Sequence, residues 1–266
     1  MKIGIVGCCG RMGRMLIETV LETDGAELAG GVDAPGNPLA GKDLGLLVGA
    51  DAAGVAVGDS AAALFAASDV VIDFTVPAAT AAHAALAAET GTAMVIGTTG
   101  MSADQQAAVA AAAATVPVVQ AGNMSLGVNL LVGLAEQVAA SLGEDFDIEI
   151  VEMHHKHKID APSGTALMLG HAAAKGRGVD HEAMAVLARE GQTGARPSGA
   201  IGYAALRGGD VVGDHTVIFA GAGERIELTH KAANRGIFAR GAVRAALWCD
   251  RQAPRLYSMR DVLGLA

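Results

Sequence analysis

The sequence predicts an α/β chain in two parts. The front part is built on a parallel sheet covered by helices on both faces, and the rear part is α+β with a mixed sheet. Three observations carry this. Residues 2–6 form a short apolar run that enters a glycine-rich turn and then a helical pattern. Continuous apolar strands alternate with helices as far as residue 120, which marks a parallel sheet buried on both faces. Beyond Asn123 the alternation stops, and the later segments are strand-rich without intervening helices, as in a mixed or antiparallel sheet.

The first strand runs into Gly7-Cys8-Cys9-Gly10-Arg11-Met12-Gly13, and residues 14–22 read as a helix. Strand, glycine turn and helix form the context in which a dinucleotide fingerprint carries weight. The glycines let the backbone turn tightly and approach a pyrophosphate at the positive helix end. The spacing is G-x-x-G-x-x-G rather than G-x-G-x-x-G, so this turn alone is a weak sign. The next strand strengthens it. Residues 26–32 end at Asp33, twenty residues after Gly13, where an acid is expected to bond the adenosine ribose hydroxyls. That charge disfavours a 2′-phosphate, and Ala34 offers no cation to offset it. Arg11 and Arg14 stand nearby, so the residues only lean towards NADH over NADPH. The front part is therefore expected to be a Rossmann-type dinucleotide-binding domain.

Residues 35–60 are glycine-rich and weakly patterned and read as an irregular excursion. Strand 68–75, helix 77–90 with Pro77 in its first turn, strand 92–98, helix 102–114 and strand 116–120 follow. Ligands bind at the carboxyl ends of such strands. Those ends carry Phe74-Thr75-Val76-Pro77, Gly97-Thr98-Thr99-Gly100 and Ala121-Gly122-Asn123-Met124, small or polar walls for a nicotinamide ribose, although ordinary loops look the same. In the rear part, 125–142 is an apolar helix, 146–153 alternates, 163–175 is a helix, and 185–189, 199–206, 210–220 and 225–231 are strands. Gly208-Gly209-Asp210 reads as a hairpin turn. Helix 236–250 and a short helix at 257–265 return to the front part. The expected domains are thus 1–124 with 235–266, and 125–234. No internal repeat or low-complexity segment interrupts them.

The densest chemistry lies at 151–167. Positions 154–158 hold His154, His155, Lys156, His157 and Lys158, flanked by Glu152 and Asp160. Lysine gives a permanent cation and histidine exchanges a proton near neutral pH, a pairing suited to an anionic substrate. If the stretch is extended, His154, Lys156 and Lys158 share one face. Ser163 caps the helix behind it, and the N–H groups near Gly164 and Thr165 then point at an anion. A solvated basic patch is the ordinary reading of such a run, but here it abuts a helix start in an acidic chain. Metal binding by His-His-x-His is disfavoured, because adjacent lysines repel a cation and no second Cys/His cluster completes a shell. No metal is expected.

Composition bounds the rest. The chain has 266 residues, 52% hydrophobic and only 3% aromatic, with net charge −9, enough for two modest aliphatic cores. The acidic balance argues against nucleic acid as a partner. Cys8, Cys9 and Cys249 make an odd set without zinc spacing, as in a reduced cytoplasmic protein. No signal peptide or membrane span is expected.

Two stretches together identify a resemblance. Gly7-x-x-Gly10-Arg11-Met12-Gly13, and Glu152-x-His154-His155-x-His157-Lys158-x-Asp160-Ala161-Pro162-Ser163-Gly164-Thr165-Ala166, resemble the 4-hydroxy-tetrahydrodipicolinate (dihydrodipicolinate) reductase family. Residues 70–75, Gly97-Thr98-Thr99-Gly100, Asn123-Met124-Ser125-x-Gly127-Val128-Asn129 and 259–263 also match, so the resemblance spans the chain. It implies NADH- or NADPH-dependent reduction of a cyclic dicarboxylate to tetrahydrodipicolinate in lysine and diaminopimelate biosynthesis. It implies that His154 is the acid/base residue and Lys158 a proton donor, with His155, Ser163, Gly164 and Thr165 at the substrate. For the cofactor it implies Gly7, Cys8, Cys9, Gly10, Arg11, Met12, Asp33, Gly97, Thr98, Thr99, Ala121, Gly122, Asn123 and Met124. A homotetramer assembled through the rear sheet, and a hinge between domains, are also implied. Cys8 and Cys9 depart from the small residues usual in the turn. Ala34 replaces an arginine common in relatives that accept NADPH well. A nucleotide-sensing regulator without turnover, and a dehydrogenase for another aspartate-derived substrate, are the alternatives. Turnover separates the first of these from an enzyme and the substrate separates the second.

Overall fold

The structure, a computed structural model, describes residues 1–265. In chain order the elements are β1 (Lys2–Val6), α1 (Arg11–Leu21), β2 (Glu27–Val32), α2 (Leu44–Leu47), β3 (Val57–Gly58), α3 (Ala61–Ala67), β4 (Val70–Asp73), α4 (Pro77–Thr90), β5 (Ala93–Ile96), α5 (Ala103–Ala113) and β6 (Pro117–Gln120). Next come α6 (Leu126–Leu142), β7 (Asp147–His154), α7 (Gly164–Arg177), α8 (His181–Met184), β8 (Ala185–Val186), β9 (Ile201–Arg207), β10 (Gly213–Gly221) and β11 (Glu224–Ala232). The chain ends with α9 (Gly236–Cys249), β12 (Arg255–Tyr257) and α10 (Met259–Val262). Two compact units result: Met1–Ser125 with Gly236–Gly264, and Leu126–Arg235 with Leu265. The sequence placed the boundaries at 124/125 and 234/235; residue 266 lies outside the described residues.

The first unit holds a seven-stranded sheet in the order β12-β6-β5-β4-β1-β2-β3, with every pairing parallel. Its strands are apolar on both sides, and Ile3, Ile5, Ile72, Val95 and Val119 are fully buried. The chain leaves β1 to one side through β2 and β3 and to the other through β4, β5 and β6. The carboxyl ends of β1 and β4 therefore flank the switch point where such sheets take ligands. Helix α1 begins at Arg11, three residues earlier than its apolar pattern suggested. Helix α3 was not expected; Ser60 caps it by accepting from the Ala63 N–H, and Leu64 and Phe65 bury its inner face. Instead of one helix at 257–265, the tail makes β12 and then α10. Ser258 and Asp261 form a capping box that sets the later helix start.

The second unit holds a mixed five-stranded sheet in the order β11-β10-β7-β9-β8. Strand β7 pairs antiparallel with β10 and parallel with β9. The sequence expectation of a hairpin at Gly208-Gly209-Asp210 is thus corrected: β7 lies between β9 and β10. The backbone at that turn is used by the segment leaving β7. The Gly208 N–H donates to the His154 carbonyl at 2.9 Å, and the Lys156 N–H to the Gly209 carbonyl at 3.3 Å. The hairpin joins β10 to β11 instead, with Gly223 in the left-handed region at φ +83°. Helices α6 and α7 cover one face of the sheet. Ile148, Ile150, Ile201, Tyr203, Val217 and Phe219 meet Val128, Leu131, Ala135, Leu169 and Ala173 there. By length and composition alone the stretch Leu126–Asp145 is long and apolar enough to cross a bilayer, although its glycines and charges set it apart from an uninterrupted apolar run. One side of α6 packs into this core, and Glu136 pairs with Lys175 of α7 at 2.8 Å.

Candidate active site

In the first unit a cleft of about 760 Å³ opens over the ends of β1, β2 and β4. Gly7, Cys9, Gly10, Asp33, Thr75 and His83 are among its walls. Gly7 is needed twice over. Its φ is +69°, and a methyl there would sit 2.9 Å from Thr75 Cγ2. A methyl on Gly13 would lie 2.2 Å from the Gly7 carbonyl oxygen, so that glycine lets α1 start against the turn. The Cys8 side chain is fully buried, and burial pushes its thiol up. It packs under β2, where a methyl on Gly31 would touch it at 2.8 Å, and so does not enter the cleft. Only Cys9 reaches the wall. Arg11 and Met12 open α1, with Arg11 exposed.

Asp33 is built into this turn. Its Oδ2 accepts from the Cys9 N–H at 2.9 Å, and its Oδ1 accepts from the Ala34 N–H at 2.8 Å and the Asn37 amide at 3.0 Å. Partial burial works to raise the carboxyl, but these donors outweigh it and hold it below the usual value. The result is a fixed anion with lone pairs left for a vicinal diol. Beneath the cleft Asp73 is fully buried and accepts from Thr75 Oγ1 at 2.6 Å, while the His83 ring nitrogen Nδ1 lies 2.8 Å from it. Thr98 spends its hydroxyl here, taking a bond from Thr80 at 2.8 Å and lying 3.4 Å from Asp73.

The other expected cofactor residues, Gly97, Thr98, Thr99 and 121–124, end β5 and β6 and do not line that cleft. Gly97 passes under Phe74, whose ring would be 2.2 Å from an added methyl. Met124 is buried, and its carbonyl approaches Gly241 of α9 so closely that a methyl would fall 1.7 Å away. Thr99 and Gly122 are exposed, and Ala121 and Asn123 half-buried.

In the second unit the inward row of β7 changes character along its length. Ile148 and Ile150 are core residues, and the next two inward positions are Glu152 and His154, at 1% and 8% exposure. Glu152 Oε2 lies 2.6 Å from His154 Nδ1. Arg207, at the end of β9, grips both Glu152 oxygens at 2.8 and 2.9 Å, and the Ser163 N–H adds a bond at 3.2 Å. Burial would raise the Glu152 carboxyl, but the Arg207 and His154 hydrogen bonds reverse this and keep it below its usual value. An ionised Glu152 keeps a proton on the His154 Nδ1 that faces it and leaves Nε2 as the exchanging atom, the arrangement of a general acid/base. Nε2 points over Gly213, where a methyl would be 2.9 Å from it.

His215, facing Glu152 in the β7–β10 register, stands edge-on to His154 with ring centres 5.0 Å apart. Burial and then the nearby His154 lower its pKa to about 4, so it is neutral at pH 7. Its Nε2 is 2.9 Å from the Ser163 hydroxyl, which also caps α7 by accepting from the Ala166 N–H at 3.2 Å. Ser163 is buried and thus shapes the helix start from behind. Gly164 is exposed, and a methyl there would meet nothing within 4 Å, so the approach to the first turn of α7 is open. Thr165 follows it, half-buried.

The expected shared face of His154, Lys156 and Lys158 does not form, because β7 stops at His154. The Lys158 N–H bonds back to the His155 carbonyl at 3.1 Å, turning the chain. Lys158 is instead clamped on Asp160, its ammonium 2.7 and 2.8 Å from the two oxygens. His155 is half-buried, and no hydrogen bond reaches its Nδ1. Sequence reading left Arg207, His215, Asp73 and His83 out of the site and took Glu152 only as a flank. The signal for Glu152 was present in the alternation of Ile148, Ile150, Glu152 and His154.

Comparison with known proteins names the family. Residues 1–124 match the family model "Dihydrodipicolinate reductase, N-terminus" and residues 127–263 match "Dihydrodipicolinate reductase, C-terminus". A 4-hydroxy-tetrahydrodipicolinate reductase of Afipia carboxidovorans is 58% identical over 265 residues, covering 100% of this chain and 97% of the relative. One from Ruegeria pomeroyi is 57% identical over 263 residues, covering 99% and 98%. Among solved structures, a dipicolinate-bound dihydrodipicolinate reductase from Paenisporosarcina superposes with a TM-score of 0.77 at 27% identity, covering 97% of each chain. With both halves matched by family models and relatives aligned along its length, the chain belongs to the dihydrodipicolinate reductase family.

Proposed function

We propose that the chain reduces a hydrodipicolinate-type cyclic dicarboxylate to tetrahydrodipicolinate with a nicotinamide dinucleotide, NADH in preference to NADPH, in cytoplasmic lysine and diaminopimelate biosynthesis. The observation that carries this is the buried Glu152–His154 pair, held by Arg207 beside Lys158 and the open start of α7.

The first unit suits a dinucleotide. Its cleft is bounded by a glycine turn with room for a backbone approach, since a methyl on Gly10 would meet only the Gly7 carbonyl, at 3.3 Å. Gly7, Gly10 and the first N–H groups of α1 would hold the pyrophosphate, and Asp33 the adenosine ribose. Residues 97–99 and 121–124 would line the nicotinamide side. When bound, the cofactor supplies the hydride.

This chain's residues do the remainder. Hydride addition leaves negative charge on the substrate, and a proton must quench it. His154, its Nδ1–H held by Glu152, takes up a proton at Nε2 from solvent, passes it as the imidazolium to the substrate and returns to the neutral ring. Lys158 stabilises the developing charge, exchanging its Asp160 partner for the substrate, and acts as a proton donor. His155 and the Gly164–Thr165 backbone hold a carboxylate at the positive end of α7. Ser163 and His215 fix that helix start from below.

The test is oxidation of NADH and of NADPH by the full chain, with substrate generated enzymatically from its aldehyde and keto-acid precursors. Turnover faster with NADH is expected. No turnover with either cofactor rejects the reading.

A further inference from the structure

Away from both sites, the second unit gathers His171 of α7 with His181 and Glu182 of α8. Their ligand atoms all lie within 4.8 Å of one another. Glu182 Oε1 is 3.9 Å from His171 Nε2 and 3.6 Å from His181 Nδ1, and the two imidazole rings lie with centres 3.9 Å apart, tilted by 40°.

His181 is the informative member. It is 7% exposed, and its Nδ1 is buried with no hydrogen bond, on the side of Glu182. Leaving a buried ring nitrogen unpaired is costly. Its other nitrogen is committed: Nε2 lies 2.5 Å from the Tyr203 hydroxyl. With Nε2–H donating to that hydroxyl, Tyr203 holds the ring in place. This tautomer leaves the Nδ1 lone pair bare. The pair is protected by glycine, because a methyl on Gly170 would fall 1.6 Å from the Tyr203 oxygen and 2.9 Å from His181 Nε2. An imidazole whose far nitrogen is anchored by a polar partner is how proteins aim metal-binding histidines.

We propose that His171, His181 and Glu182 form a zinc site. Two imidazoles and a carboxylate are borderline donors that favour zinc over the oxygen-seeking calcium and magnesium. Tetrahedral zinc with bonds of about 2.0–2.1 Å wants donors about 3.3 Å apart. The two separations to Glu182 need to close by about 0.6 and 0.3 Å, and the third, between the two rings, lies within 4.8 Å. The movement falls on His171 and Glu182, whose side chains are 53% and 73% exposed, while Tyr203 holds His181 still. The fourth position is open to water. The ion would tie α8 to α7 and so brace the segment leading into edge strand β8. Nothing in the residue order points to this, because His171 and His181 stand ten residues apart in different helices. A second gathering, Cys8, Cys9 and Asp33, is poorer: both Asp33 oxygens already accept hydrogen bonds, and burial opposes the Cys8 thiolate.

Calorimetric titration of zinc chloride into the full-length, metal-stripped protein tests it, with His171→Ala and Glu182→Gln alongside. His171 is exposed, so its removal leaves the fold intact where a His181 change endangers it. Wild type should bind one zinc that His171→Ala lacks and Glu182→Gln holds at least about tenfold more weakly. Zinc should raise the Tm of wild type by several degrees and that of His171→Ala by none. Long-range ¹H–¹⁵N spectra should show the rings of His171 and His181 shifting together. Equal zinc uptake by wild type and His171→Ala, or shifts confined to His154, His155 and His157, overturns the assignment.

Discussion

Glu152 is an anion under a ring, and each partner it has says what happens when one is removed. His154→Ala removes the proton carrier but nothing in the nucleotide cleft. We expect kcat to fall about 10²–10⁴-fold with the NADH Kd unchanged, read by steady-state kinetics and fluorescence titration. A variant that alters only ligand affinity would instead favour a sensor without turnover. His215 gives a pH signature. Its folded pKa is about 4 against an ordinary 6.5, so between these values the unfolded chain binds a proton that the native chain does not. The stability is therefore fully present above pH 6.5 and is lost as pH falls towards 4, by about 3 kcal/mol at about 1.4 kcal/mol per unit. Urea unfolding from pH 7 to 4 should show that loss in wild type and less of it in His215→Gln; parallel curves would remove His215 as the cause. Asp33 is already held by three donors, so its charge is fixed whichever dinucleotide enters. Asp33→Ala should raise KM for NADH roughly tenfold, as expected for lost charge-assisted bonds to a diol. It should raise KM for NADPH less, because the repulsion of a 2′-phosphate goes with the charge. Equal changes would count against a ribose contact.

Between elements, α1 packs closely against the turn after β1. In Gly13→Ala the new methyl lies 2.2 Å from the Gly7 oxygen and 2.6 Å from Cys8 Cα, all backbone, so helix and turn must part. We expect a loss of about 1–3 kcal/mol by urea unfolding together with a higher KM for the nucleotide. Gly10→Ala meets only the Gly7 oxygen, at 3.3 Å, and should keep its stability. Unchanged stability in Gly13→Ala would sink the close-packing account. This strand–turn–helix was legible in the sequence because its signals are local: an apolar run, glycines at fixed offsets, an acid at the end of β2. The parallel alternation was legible for the same reason. What was not legible depends on pairing at a distance. Strand β12 is three residues long and exists because Leu256 and Tyr257 pair with Val118 and Val119 of β6. The misplaced hairpin has the same origin, since β7 inserts between two strands that are neighbours in sequence. In the candidate site, His154 to Lys158 stood out as a run, whereas Arg207, 55 residues from Glu152, joins it only through the β7–β9 pairing.

For the whole molecule, the unanswered question is the sheet face that α6 and α7 leave uncovered. Alternation sends Val151 and Met153 of β7, Ile218 of β10, and Ala204 and Leu206 of β9 to that side, with Leu206 50% exposed. These apolar side chains stand among Glu149, Thr216, Asp214 and Glu227 on the same face, a mixed surface of the kind that another chain buries. We propose it as the contact of the homotetramer that the family resemblance implies. Ile218 sits between Glu149 and Glu227 in the register. Ile218→Asp therefore sets an acid between Glu149, which Arg189 and Arg196 hold, and Glu227, which Arg225 holds, a charge that a solvated face carries in water but that an interface between copies must desolvate. Wild type should sediment at about four times 26.6 kDa, and Ile218→Asp as smaller species with unchanged circular dichroism. If the variant keeps the full mass, the copies meet elsewhere. If wild type is itself monomeric, this face has some other cover and assembly through this sheet is wrong.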